Sequence, residues 1–145
     1  MQQRLDLAEI NPAAVQAMRG LEQQIAQSGL EKPLTELVRL RASQINGCAF
    51  CAHMHAHDAR AGGEVERRLD TLVAWRESPF FTARERAALE WTESLTLIAQ
   101  THVPDATWEA VRPHFSDHEL TDLTLLIVAI NGWNRFAISF RKMPV

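Results

Sequence analysis

No run of like charges, no low-complexity tract and no internal repeat marks the 145-residue chain. Acidic and basic side chains are intermixed and nearly balanced, at a formal net charge of -3, so neither nucleic acid nor an anionic membrane is expected as the main partner. The opening MQQRLDLAEI lacks the basic start and apolar core of a secretory signal, and a cytoplasmic location is expected. A spanning helix needs about 20 apolar residues. The longest apolar stretch, Leu123 to Ile130 with one threonine inside it, is shorter, and a core segment without a membrane is expected. Nowhere do apolar and polar residues alternate as in a half-buried strand. The length fits one domain over residues 1–145, burying roughly two thirds of the unfolded surface.

Cysteine is scarce too, with only Cys48 and Cys51. In a reducing compartment such residues ordinarily act as small buried hydrophobes, and a structural disulfide is unexpected. Two randomly placed cysteines would fall three residues apart only roughly once in seventy placements, so the spacing calls for a chemical reason.

What is present is helical periodicity. Asn11-Pro12 starts a helix in which Val15, Met18, Leu21 and Ile25 recur until Ser28-Gly29. Pro33 opens a second helix, with Leu34, Leu37, Val38 and Ile45 on one stripe, and Asn46-Gly47 breaks it just before Cys48. A third runs from about Cys48 to Arg60 and ends at Gly62-Gly63. Val65, Leu69, Leu72 and Val73 give a fourth an apolar face, closed by Ser78-Pro79. Thr82 to Glu85 is a capping box for a helix carried onward by Ala87, Ala88, Trp91, Leu95 and Ile98. Pro104 starts a short helix to about Arg112, and Ser116 to Glu119 is a second capping box for a long helix toward Phe140. The pattern predicts an all-α, compact bundle of about six to seven helices.

Helical spacing places Cys48, Cys51 and His55 on one face. In a first turn, unpaired N–H groups and the helix dipole favour a thiolate, which attacks peroxide far better than a thiol does. A nearby imidazole can exchange the proton. Such a trio suffices for a cycle in which one cysteine becomes a sulfenic acid and the other condenses with it to a disulfide.

The run Arg41-Ala-Ser-Gln-Ile-Asn-Gly-Cys48-Ala-Phe-Cys51-Ala-His-Met-His55 resembles the core motif of the alkylhydroperoxidase (AhpD-like) and carboxymuconolactone decarboxylase family. That motif has a glutamate, a CxxC pair twelve positions later and a histidine four after the second cysteine; Glu36, Cys48, Cys51 and His55 meet each position, within a core at about 36–60. Ile130-Asn-Gly-Trp-Asn-Arg135 is similar to the family's Asn-x-Trp-Asn-Arg run. The resemblance implies an AhpD-like antioxidant fold and a thiol-dependent peroxidase or disulfide oxidoreductase acting on organic hydroperoxides. It further implies a peroxidatic Cys51, a resolving Cys48, proton relay by Glu36 and His55, and a homotrimer or homohexamer. No bound cofactor is required, and an external dithiol of lipoyl or thioredoxin type regenerates the pair. Phe50 stands where family members with peroxidase behaviour often carry a histidine. The alternatives are a decarboxylase acting on a ring lactone without dependence on CxxC, and a redox-responsive regulatory or binding protein.

The two thiols are not equivalent. The dipole, worth about 0.3–1 kcal/mol, favours Cys48 as the more acidic. His55 lies one turn beyond Cys51 and can act as its base, which outweighs that term and agrees with the resemblance. Cys48, at the more exposed helix tip, is then expected to exchange with the external dithiol.

Other residues receive plainer readings. Glu36, taken locally, is a carboxylate complementing a helix dipole; only its spacing to Cys48 says otherwise. Cys48, Cys51, His55 and Glu36 could supply four zinc ligands, but structural zinc draws on two separated clusters and this chain has one, so no metal is expected. His53 and His57 fall on other helix faces, and His102, His114 and His118 lie near helix ends. Trp91, Trp108 and Trp133 read as core or interface. Asn131 and Asn134 are expected to fix packing around the site or a subunit contact, with Arg135 as an ion-pair donor.

Overall fold

A computed structural model describes residues 1–145. Nine α-helices and two 3₁₀ turns form the chain, with no strand. In order these are α1 (Leu7–Ile10), α2 (Pro12–Ala26), α3 (Lys32–Asn46), α4 (Ala49–Ala61), α5 (Glu66–Thr71), α6 (Ala83–Thr96), α7 (Ile98–Thr101), α8 (Asp105–Val111) and α9 (Asp117–Phe140). The 3₁₀ turns, Leu72–Ala74 and Arg112–His114, extend α5 and α8. The all-α expectation holds. The count exceeds six to seven because short α1 and α7 carry too few residues to show a period.

Local chemistry sets the helix ends. Asn11 accepts from the Ala14 N–H and Pro12 occupies the first turn of α2. Both expected capping boxes are complete, Thr82 with Glu85 on α6 and Ser116 with Glu119 on α9. The α6 periodicity overreaches at its far end. The Thr101 hydroxyl takes the Ser94 carbonyl at 2.7 Å, the acceptor that Ile98 would need to continue the helix. The chain therefore leaves α6 at Leu97, and Ile98 is exposed. Val73 is exposed as well, because the tightening to a 3₁₀ turn rotates it off the apolar face.

α3 is the shared wall of two cores. Its Leu34 and Val38 pack with α6 and α9 residues such as Ala88, Leu123 and Ile127, while its Leu37 and Leu40 face Leu72, Trp75 and Leu89. Opposite it, α9 contributes Leu123, Leu126, Ile127 and Ile130, all buried. Although its uninterrupted apolar run is short, this 24-residue helix is long and apolar enough to cross a bilayer, with a window of mean hydropathy 1.3. Here its inward face is core, and it buries Asp122 and Asn134. At Gly132 the helix passes so close to α2 that an added Cβ would lie 2.9 Å from Met18 Cε. That contact brings the neighbouring Trp133 onto α2.

Candidate active site

A single turn positions the cysteines. Gly47 ends α3 at φ 71°, a left-handed conformation that favours glycine. There the Gly47 N–H donates to the Gln44 carbonyl, and the Cys48 N–H donates to Ser43 at 2.9 Å. Those are the two bonds of a Schellman motif. Cys48 thus leaves one helix and caps the next, its Sγ accepting from the Cys51 N–H at 3.3 Å. A disulfide joins Cys48 to Cys51, with Cα atoms 5.4 Å apart.

An amide network clamps this turn to α9. Asn46 Nδ2 donates to Oδ1 of both Asn131 and Asn134 at 2.9 Å, and Asn134 Nδ2 donates to the Ser43 hydroxyl at 3.1 Å. Of the two roles open to Asn131 and Asn134, these contacts are packing beside the site, with their amides satisfied as buried polar groups require. Arg135 makes no ion pair, contrary to expectation. It bonds to the Asn131 carbonyl and side-chain oxygen instead, one turn back on its own helix.

Glu36, early in α3, and His55, on α4, are both buried. His55 Nδ1 lies 3.0 Å from Glu36 Oε2. Burial alone would push the Glu36 carboxyl up, but the His55 hydrogen bond and the Arg39 guanidinium override it and hold the group below its ordinary value. An ionised carboxylate has no proton to give. Nδ1 is therefore the donor, and in a neutral ring Nε2 remains free to accept.

His55 and Cys51, one turn apart on α4, line the same cavity of about 460 Å³. Apolar walls come from Phe50, Met54, Trp133 and Phe136, and from Leu5 and Leu7 in the segment around α1. That segment is tied across the cavity by the Arg4 N–H donating to Phe140 at 2.9 Å and by Arg4 Nη1 donating to Ser139 at 3.0 Å. Lys142 Nζ sits 4.5 Å above the Phe50 ring. All four expected residues are brought together, but not equally. Cys48 does not line the cavity and is 2% exposed, against 3% for Cys51. The expectation of an exposed Cys48 tip is therefore corrected: Ala137 of α9 packs with both cysteines in one buried cluster.

The zinc set weighed from sequence loses its thiolates to the disulfide. Glu36, His55 and Asp58 do offer ligand atoms within 4.8 Å of one another. Each Glu36 oxygen already accepts from one partner, Arg39 or His55, so a cation there would sit beside a guanidinium and be repelled by it. His53 and His57 are exposed on other faces of α4, and His118 pairs with Asp122 at 3.1 Å, outside the cavity.

Sequence reasoning missed the outer half of the polar chain. Arg39 Nη1 donates to Glu36 Oε1 at 2.8 Å and its Nη2 to Glu22 Oε2 at 2.7 Å. Trp133 Nε1 in turn donates to Glu22 Oε1 at 3.1 Å. Three helices thus converge behind His55. The spacing of Glu36 and Arg39, three apart on one helix, was the only local signal.

Known proteins resemble this chain in sequence and fold. The carboxymuconolactone decarboxylase family profile matches residues 12–94. The uncharacterised protein YdfG of Bacillus subtilis (strain 168) is 43% identical over 96% of this chain and 95% of its own. A solved structure from Agrobacterium tumefaciens is 44% identical and superposes with a TM-score of 0.97 over 99% of both chains; it is a protein of unknown function put forward as an antioxidant defence protein AhpD. An uncharacterised peroxidase-related protein from Silicibacter sp. TM1040 is 26% identical, with a TM-score of 0.82 over 93% of this chain and 72% of that one.

Proposed function

The chain belongs to the carboxymuconolactone decarboxylase family, and from that premise we propose that it is a thiol-dependent peroxidase that reduces organic hydroperoxides through Cys51 and Cys48. One observation carries the proposal: of the two sulfurs, Cys51 alone faces the cavity, in the company of His55 and Glu36. The apolar walls suit the organic part of the peroxide, and the polar floor suits the O–O bond.

With the pair reduced, His55 Nε2 takes the Cys51 proton and the thiolate attacks the terminal peroxide oxygen. The S–O bond forms as the O–O bond breaks, and the imidazolium returns its proton to the leaving alkoxide, giving an alcohol and a Cys51 sulfenic acid. Cys48 then attacks that sulfur, releasing water and forming the disulfide. Phe50 supplies no proton, so Glu36 and His55 form the whole relay. An external dithiol, of lipoyl or thioredoxin type, reduces the bond. Because Cys51 lines the cavity and Cys48 does not, the dithiol enters through the cavity and attacks Cys51, with Cys48 as the leaving thiolate. A homotrimer or homohexamer is the proposed assembly.

Free thiols counted before and after one equivalent of cumene hydroperoxide, with steady-state peroxide consumption under excess dihydrolipoamide, test the proposal. It predicts loss of two thiols per chain and continued turnover. Thiols that survive the peroxide contradict it, and a single oxidation without turnover points to a redox-responsive regulator.

A further inference from the structure

Arg39 belongs to no catalytic pair of its own, yet it lines the cavity one bond behind the reacting groups. We propose that Arg39, anchored by Glu22 and Trp133, is a positioning residue that divides the negative charge of Glu36 with His55 and so keeps the Glu36–His55 pair from holding an extra proton. The inference rests on the assignment of Cys51 and His55 as the reacting pair.

The geometry makes the charge balance specific. A lone carboxylate against His55 would favour an imidazolium, which cannot accept the Cys51 proton. Arg39 puts a fixed positive charge 2.8 Å from the other Glu36 oxygen, opposing that second proton. Glu22, 2.7 Å from the far guanidinium nitrogen, tempers Arg39 in turn. Trp133 holds Glu22 by a neutral hydrogen bond, so the chain has a non-titrating end. The remaining charges around His55 are Asp58 on its own helix, Arg19 on α2, and Asp6 and Lys142 at the two chain ends. The α9 wall presents only Trp133, Phe136, Ala137 and Phe140 to the cavity. None of these peripheral charges bonds to Glu36 or His55.

Removing Arg39 deletes a positive charge, and removing the Glu22 charge deletes a negative one. Whichever member of the pair takes the proton, the first change raises the pair's proton affinity and the second lowers it. The test follows the alkylation rate of Cys51 by iodoacetamide against pH in reduced protein carrying Cys48→Ser, so that one thiol reports. Arg39→Met is expected to move the acid limb to higher pH by about one unit. Glu22→Gln should move it the other way by a smaller step, while Arg39→Lys, which keeps the charge, stays near the parent. In a His55→Ala background the Arg39→Met shift should shrink to roughly a third or less, because its route through the pair is gone. Unmoved limbs, shifts of the same sign, or a full Arg39→Met shift without His55 each overturn the proposal. Should Arg39→Met lose its helical circular dichroism, Glu22→Gln and Arg39→Lys decide, since a structural role alone gives no downward shift. No peroxide is present, so shifted limbs in a protein that consumes no peroxide would sink the peroxidase proposal and spare this one.

Discussion

Two carboxylates, the buried Glu36 and the half-buried Glu93, are built almost alike around different rings. Each accepts from an arginine and from a ring N–H: Glu36 from Arg39 and His55, Glu93 from Arg41 at 2.8 Å and Trp75 at 2.7 Å. Glu93 adds Arg76 at 2.8 Å. Burial raises both carboxyls, and the ring N–H and arginine partners more than reverse it, leaving both below their ordinary value. The difference lies in the ring. Trp75 cannot titrate, and its carboxylate ties α3, α6 and the turn after α5 together. His55 can titrate, and it shares a cavity with a sulfur. Of the two networks, only the one around Glu36 has a member that can pass a proton toward a sulfur.

Exchanging the roles in thought gives the largest expected effect. His55→Ala should slow the first oxidation of Cys51 by roughly 10²-fold or more, with Glu36→Gln intermediate, as expected for loss of a general base and its orienting group. Stopped-flow oxidation of reduced protein reads this directly. A rate within a factor of two of the parent in both variants would erase the distinction from Glu93.

The converse variant, Glu93→Gln, should leave that rate unchanged and destabilise the fold by about 2 kcal/mol, the scale of hydrogen bonds to charged groups. For a chain of this size the melting temperature would fall by roughly 5 °C. A Glu93 variant with parental stability but slowed oxidation would reverse the comparison.

Acid sensitivity is the smallest effect. Both carboxyls are depressed from about 4.5 on folding, so each contributes stability that is complete above that value and lost as pH falls through the folded values. Melting temperatures measured from about pH 6 to pH 3 should fall in the parent, and less steeply in Glu93→Gln and Glu36→Gln, which lack one titrating group each. Equal slopes in all three would contradict the preference of the fold for both carboxylates in their ionised form.

Much of this was legible in the residues. Capping boxes at Thr82 and Ser116 and the break at Asn46-Gly47 depend on neighbours in sequence, and the structure keeps all three. The common face of Cys51 and His55 follows from helical period alone. Glu36 did not: locally it reads as a dipole carboxylate, and only the resemblance picks it out. The burial of Cys48 was illegible because α9, almost ninety residues downstream, brings Ala137 into the same buried cluster. The Arg39–Glu22–Trp133 chain was hidden for the same reason, joining α2, α3 and α9 through contacts as far apart as 111 positions.

The central claim is that Cys51, facing the cavity beside His55, attacks peroxide and Cys48 resolves. The most direct measurement reacts reduced Cys48→Ser and Cys51→Ser proteins separately with stoichiometric organic hydroperoxide and dimedone, then locates the adduct by mass spectrometry. The account predicts a dimedone adduct on Cys51 in the first protein, formed as fast as the parent is oxidised, and none on that timescale in the second. An adduct on Cys48 of the Cys51→Ser protein, formed at the parental rate, would contradict it.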